Sequence, residues 1–341
     1  MHIFPKGAED NEKSEGIMCT AISDNGGRHL FGRSLDLECS YGESVITLPR
    51  AFRFYFAHTE IKYPHYAMIG AGVIHGGVPL YYDGMNEYGL CAAALNFPAR
   101  AVYQERREGK LNLASFELIP YVLMSCESLS EAREALSELN VTADAVSASL
   151  PPTPLHYMIS DGTGAVVVEA MADGVHIHEN PYGVLTNSPE LPYQVLNLSG
   201  YMGLDSRAPE NRISKEVDPE NYSRGLGAYG LPGDYSSTSR FVRAVFLKNH
   251  TRPTASGCDV GRMFHIMDSL AVPDGAITLP DGRGVRTVYT SVADTADKIY
   301  YFTTYGCRRI RGVRLDKLEG EFLSSVSIEE HEDILFKELP I

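Results

Sequence analysis

The chain lacks any dense run of lysine and arginine: 30 basic residues stand against 44 acidic ones, a net charge of −14. A nucleic-acid partner is therefore missing its electrostatic footprint. Cysteine is scarce, with six in 341 residues (19, 39, 91, 126, 258 and 307) and no Cys-x-x-Cys pair. That excludes a disulfide scaffold and a thiolate zinc site, and it points to a reducing compartment. No segment approaches the roughly 18 consecutive apolar residues that cross a bilayer, and residues 1–17 hold no apolar stretch of signal-peptide length. The expected location is the cytoplasm, with no membrane partner. A Gly-rich phosphate loop opening a helix is also absent, the nearest glycine pair being Gly225 and Gly227. No cofactor is expected. His176 and His178 would share one strand face, but that pair alone makes no site, so they read as surface histidines and no metal is expected.

What the chain does have is ample core, at 44% hydrophobic residues. Residues 20–22 and 29–37 flank the turn Asn25-Gly26-Gly27 and read as a hairpin, followed by strands at 44–48, 66–73 and 79–96. Asp83-Gly84 and Gly89 appear as breaks in the last of these. Helices are expected over 115–126, interrupted by Pro120, and over 129–139, opened by a capping box of Ser128 with Glu131. A meander follows around Asp161-Gly162-Thr163-Gly164. Residues 190–235 read as a long excursion, then a helix capped by Thr238 or Ser239 runs to about residue 247 and another spans 260–270. Strands at 287–292 and 299–305 and a charged tail after Ser324 close the chain. Strands and helices in separate blocks argue for α+β architecture, antiparallel sheets with helices layered outside.

Cys19 begins the apolar run Cys19-Thr20-Ala21-Ile22, with Arg33 and Asp36 a little further on. A cysteine in that setting is commonly core. Were the preceding chain removed, Cys19 would carry a thiol of pKa near ~8.5 and an α-amine near ~7.7–8.0, so one residue would supply both nucleophile and base. Residues 1–18 are polar and acidic, and are expected to be a removed leader or an untranslated stretch upstream of Met18. Arg33 would favour the thiolate and Asp36 would orient the new ammonium. Their spacing of three puts them on opposite faces of a strand unless a bulge at Gly32 intervenes. Asn96 and Asn187, each ending a strand just before a proline, are candidate oxyanion donors. Arg240 stands at the start of a predicted helix, where the dipole disfavours a cation and so hints at a task.

Taken together these residues resemble the choloylglycine hydrolase family, which includes bile salt hydrolases and penicillin V acylases. The carriers are Met18-Cys19-Thr20, Phe31-Gly32-Arg33-Ser34-Leu35-Asp36, Asp83-Gly84-Met85-Asn86-Glu87 with Gly89-Leu90, Leu95-Asn96-Phe97-Pro98, Leu185-Thr186-Asn187-Ser188-Pro189, and Gly230-Leu231-Pro232-Gly233-Asp234 through Ser239-Arg240-Phe241. The resemblance implies an N-terminal nucleophile (Ntn) hydrolase, a single domain over 19–341 built as a four-layer αββα sandwich of two antiparallel sheets between helical layers. By carry-over, Cys19 is nucleophile and base, Arg33 and Asp36 tune and orient it, Asn96 and Asn187 serve the oxyanion or the α-amine, and Arg240 assists the charged transition state. Asn at position 96 is similar to bile salt hydrolases, whereas penicillin V acylases tend to have Tyr there. The implied reaction is hydrolysis of a glycine- or taurine-conjugated bile acid, in an apolar pocket near Leu35, residues 66–73 and the stretch after Asn140. Gly225-Leu226-Gly227 resembles a loop linked to glycine conjugates. The excursion near 190–220 is implied to make subunit contacts in a homotetramer. The alternatives are acylase action on penicillin V or an acyl homoserine lactone, and a non-catalytic steroid or lipid binder on the same scaffold.

Overall fold

A computed structural model describes residues 17–253, 259–316 and 318–328. Cys258, all but the end of the expected leader and the tail beyond 328 lie outside the described residues. The chain opens with strands β1 (Met18–Asp24), β2 (Leu30–Leu37), β3 (Ser44–Leu48), β4 (Met68–His75), β5 (Val78–Asn86), β6 (Cys91–Asn96) and β7 (Leu111–Ala114). Helices α1 (Leu118–Ser125) and α2 (Leu129–Leu136) lead to β8 (Leu139–Thr142), β9 (Leu155–Asp161), β10 (Gly164–Met171), β11 (Gly174–Glu179) and β12 (Val184–Leu185). Helices α3 (Leu191–Leu198), α4 (Ser237–His250) and α5 (Asp259–Asp268) precede β13 (Ile277–Thr278), β14 (Gly284–Asp294), β15 (Ile299–Thr304), β16 (Arg311–Arg314) and β17 (Ser324–Ser327).

One seven-stranded sheet runs β12-β1-β2-β14-β15-β16 with β13 beside β14, and an eight-stranded sheet runs β11-β10-β9-β6-β5-β4-β3-β17. Helices α4 and α5 cover the first sheet over β1, β2, β12 and β14, while α1 and α2 cover the second over β5, β6, β9 and β10. The layers are thus αββα, as the block pattern and the resemblance led one to expect. One apolar cluster fills the space between the sheets and under α4 and α5, and the other lies between the eight-stranded sheet and α1 and α2. The central strands bury both faces and the helices one stripe, which is what lets a chain of ordinary hydrophobicity make four layers.

Several boundaries differ from the sequence reading for local reasons. Pro120 is the third residue of α1, within the first turn where no intrahelical N–H is needed, so it does not interrupt the helix. Ser128 caps α2 by accepting from the Glu131 N–H, but the Glu131 carboxylate reaches the Glu127 N–H rather than closing the box on Ser128. The cap of α4 is Ser236, whose hydroxyl accepts from Ser239 N–H, so the helix starts earlier than a cap at Thr238 or Ser239 would allow.

The largest departure is at Asp83-Gly84, which does not break the strand but lies inside β5. Across β4 and β5 the register steps from Ala71 opposite Asp83 to Gly72 opposite Tyr81, leaving Tyr82 as the extra residue of a bulge. Gly70 faces Gly84 there, and a Cβ on Gly70 would sit 2.0 Å from the Asp83 carbonyl oxygen. Only glycine permits that approach. Among the described residues no helix is long and apolar enough to cross a membrane.

Candidate active site

Cys19, second residue of β1, is 1% exposed. The β1–β2 register pairs Cys19 with Leu35 and Ala21 with Arg33, so Cys19 and Arg33 share the face turned toward the eight-stranded sheet. Thr20 pairs with Ser34 and Met18 with Asp36, which puts Asp36 on the opposite face, toward α4. The expected opposition of Arg33 and Asp36 therefore holds, and no bulge forms at Gly32. The register shift of this region sits instead in β14, between Thr287 and Tyr289. Gly32 has a packing reason: a Cβ there would lie 3.3 Å from Met263 and Met267 of α5.

On the inner face Arg33 Nη2 lies 3.4 Å from the Cys19 sulfur, and Arg33 Nη1 donates to the Tyr289 hydroxyl. Tyr289 in turn donates to Asp83 Oδ2 at 2.8 Å, Tyr300 donates to Asp83 Oδ1, and Arg33 Nε is 3.7 Å from Asp83 Oδ2. The bulge in β5 also brings Tyr82 within reach, its ring centroid 5.5 Å from the Arg33 guanidinium carbon. Asp83, Tyr289 and Tyr300 are residues that sequence reasoning missed as part of the site. The available signal was a carboxylate in the middle of a buried apolar strand, read there as turn chemistry.

On the outer face Arg240 Nη1 donates to the Cys19 carbonyl and, at 2.6 Å, to the Thr20 hydroxyl, while Nη2 donates to Asn187 Oδ1 at 2.7 Å. Asp36 Oδ1 accepts from the Thr287 hydroxyl at 2.6 Å, and Oδ2 is buried without a hydrogen-bond partner among the described residues. Asn187 Oδ1 also accepts from the Cys19 backbone N–H at 2.9 Å, and Asn187 Nδ2 donates to the Asn96 carbonyl at 2.8 Å. Asn96 Nδ2 donates to the Ile17 carbonyl at 3.3 Å, across the peptide that still joins Met18 to Cys19. The structure thus gathers Arg33, Asp36, Asn96, Asn187 and Arg240 around Cys19. The Gly230–Asp234 block serves α4: Arg243 donates to the Pro232 and Asp234 carbonyls, and Asp234 accepts from the Ser239 hydroxyl at 2.6 Å.

The family of linear amide C-N hydrolases known as the choloylglycine hydrolase family matches residues 19–327. A bile salt hydrolase/transferase of Lactiplantibacillus plantarum is 41% identical over 88% of this chain and 93% of its own length. A conjugated bile acid hydrolase of Lactobacillus gasseri is 35% identical over 88% of this chain and 96% of its own. The chain belongs to the choloylglycine hydrolase family. Among solved structures, a mutant of the conjugated bile acid hydrolase from Clostridium perfringens superposes with a TM-score of 0.86 at 33% identity, covering 94% of this chain and 100% of the other. The penicillin V acylase of Agrobacterium tumefaciens, at 21% identity and a TM-score of 0.71, shares the fold.

As a linear amide C–N hydrolase of this family, the enzyme needs an activated nucleophile and a stabilised oxyanion. Burial pushes the Cys19 thiol up, opposed by Arg33, by the Asn96 backbone N–H and by Arg240, with Asp36 adding to the rise. The thiol in this peptide-linked form therefore holds its proton and calls for a base. Burial likewise raises the Asp36 carboxyl, against the pull of Arg240, the Thr287 hydroxyl and Arg33. Arg240 is drawn down by burial and supported by Asp36 and Cys19. Both histidines have acidic neighbours: His176 Nε2 is 2.9 Å from Asp173 Oδ1 and His178 Nε2 is 3.4 Å from Glu169 Oε2. Among the described residues no group of three or more His, Cys, Asp or Glu could hold a metal ion.

Proposed function

We propose that the chain hydrolyses the amide joining a bile acid to glycine or taurine, working through Cys19 once residues 1–18 no longer precede it. The observation that carries this reading is that sulfur and backbone nitrogen of one residue are met by separate partners, Arg33 on one side and Asn187 on the other. A free α-amine at that nitrogen takes the thiol proton, and the thiolate attacks the amide carbonyl. Asn187 Oδ1 holds the amine, Asp36 Oδ2 accepts from the ammonium, and Arg33 steadies the sulfur. Asn96 Nδ2, which in the peptide-linked chain points at a carbonyl oxygen, becomes a donor to the oxyanion. Arg240 offsets charge developing around Asn187. The ammonium then protonates the departing amino acid, and water, deprotonated by the same amine, releases the bile acid from the thioester.

The names of the relatives support the substrate, as does Asn rather than Tyr at position 96. Glycine conjugates are the preferred class on the strength of Gly225-Leu226-Gly227. We assign the enzyme to lipid metabolism in the cytoplasm and to a homotetramer. The excursion after β12 supports the assembly, since Met202 is 83% and Ile213 92% exposed. The test compares turnover of glycocholate, taurocholate, penicillin V and an acyl homoserine lactone by protein whose N-terminus has been read by intact mass. A species beginning at Cys19 that prefers glycocholate is the expected result. Preference for penicillin V overturns the substrate, full activity with the Met18–Cys19 peptide intact overturns the mechanism, and steroid binding unaffected by Cys19→Ala without turnover points to a binder.

A further inference from the structure

Behind Asn187 lies a buried polar pair that the six candidate residues do not use. His156 of β9 and Glu169 of β10 face each other in register, and both side chains are wholly buried. His156 Nε2 is 2.8 Å from the Thr186 carbonyl oxygen, an acceptor only, so this nitrogen carries a hydrogen and donates it. His156 Nδ1 lies 3.3 Å from Glu169 Oε1, and that oxygen also accepts from the Leu191 N–H at 3.0 Å, where α3 begins. The His156 ring stacks on Phe97, centroids 4.3 Å apart and planes 7° from parallel. Glu169 Oε2 is in ion-pair range of the partly exposed His178.

These contacts bracket the two asparagines. Thr186 precedes Asn187 and Leu191 follows it by four residues, while Phe97 follows Asn96. A buried imidazole and carboxylate could be replaced in a core by apolar side chains without loss of stability, so packing alone is a weak reason for them. Short directional bonds to the chain on both sides of Asn187 are a better one.

We infer that His156 and Glu169 are positioning residues that hold the Asn187 and Asn96 segments against Cys19. The inference rests on the reading of those asparagines as partners of the Cys19 amine and the oxyanion. His156→Phe keeps a ring against Phe97 and removes the donor to Thr186, whereas His156→Gln keeps an N–H near the same place. The expected result is a fall in kcat of about tenfold or more for His156→Phe, with KM changed far less and rescue to within a few-fold by His156→Gln. Alkylation of Cys19 by iodoacetamide, in protein that begins at Cys19, should slow in the same order, because a displaced Asn187 no longer aims the amine at the thiol. Glu169→Met, which removes the acceptor facing His156 and the Leu191 N–H, serves if the phenylalanine variant fails to fold, and should give the same kcat loss with little change in KM. A kcat and an alkylation rate both within twofold of wild type in the folded variant overturn the inference, as does a loss that the glutamine variant does not reduce. Wild-type protein that alkylates readily but leaves glycocholate intact sinks the substrate assignment instead, and the alkylation series still decides the positioning role.

Discussion

The two faces of the β1–β2 hairpin handle charge in opposite ways. On the inner face Arg33 has a counter-charge: its Nη1 donates to Tyr289, its Nε lies 3.7 Å from Asp83 Oδ2 without a hydrogen bond, and Asp83 accepts from Tyr289 and Tyr300. Burial pushes the Asp83 carboxyl up, while Arg33 and the hydroxyls of Tyr300, Tyr289 and Ser291 pull it down. The outer face is open-ended, since Asp36 brings one oxygen to Thr287 and leaves the other buried and unsatisfied among the described residues. An ion pair suits a permanent charge, and a carboxyl with one oxygen unpartnered suits a charge that comes and goes during a reaction. The thiol belongs to the first face and the amine to the second.

Removing the shared residue should do most. Cys19→Ala is expected to lower glycocholate turnover by at least about 10,000-fold, read as kcat by amino-acid release. A variant in which the Met18–Cys19 bond cannot be broken should be as inactive, because no base remains for the thiol. The next test separates the faces. Asp36→Asn should reduce kcat by about 100- to 10,000-fold with the smaller loss of stability of the two, since the carboxamide oxygen can still accept from Thr287. Asp83→Asn should lower stability by about 3–5 kcal/mol in urea unfolding as well as slow the reaction, because it leaves Arg33 buried without its counter-charge. If Asp36→Asn is the destabilised variant and Asp83→Asn only the slow one, the division between the faces is wrong.

The far end of the same hairpin gives the smallest effect and one that leaves chemistry alone. His29 sits in the turn between Ser23 and Ser160, and burial lowers its pKa to about 4, with Asp161 and Asp24 pulling the other way. Because the folded value lies below the unfolded ~6.5, the unfolded chain binds more protons between the two. Stability should therefore be complete above about pH 6.5 and fall by about 3 kcal/mol as pH drops toward 4. His29→Gln should flatten that part of the stability curve measured by urea unfolding across pH. A slope unchanged by the substitution would assign the loss to the carboxylates instead.

Local patterns made much of this legible. The glycine turn at 25–27 and the period-2 apolar runs announce the opening hairpin, and a cysteine leading that hairpin with Arg33 and Asp36 behind it marks the candidate site. Separate blocks of strands and helices gave the layers. Reading Asp83-Gly84 as a turn failed because the close approach of Gly70 to Gly84 depends on a strand that the dipeptide itself cannot reveal. Arg240 stands out for its unfavourable place near a helix start, but its partners lie 53, 220 and 221 residues away and no spacing rule reaches that far.

By itself the sequence determined which residue could be both nucleophile and base, which side chains were of the right kind to serve it, and that antiparallel strands would carry them. Tertiary structure alone decided which face each group addresses, brought Asp83, Tyr289 and Tyr300 behind Arg33, and seated His156 behind Asn187. The physical reason is that alternation along a strand is fixed by local backbone geometry, while the register between strands and the meeting of two sheets depend on burial summed over the whole chain.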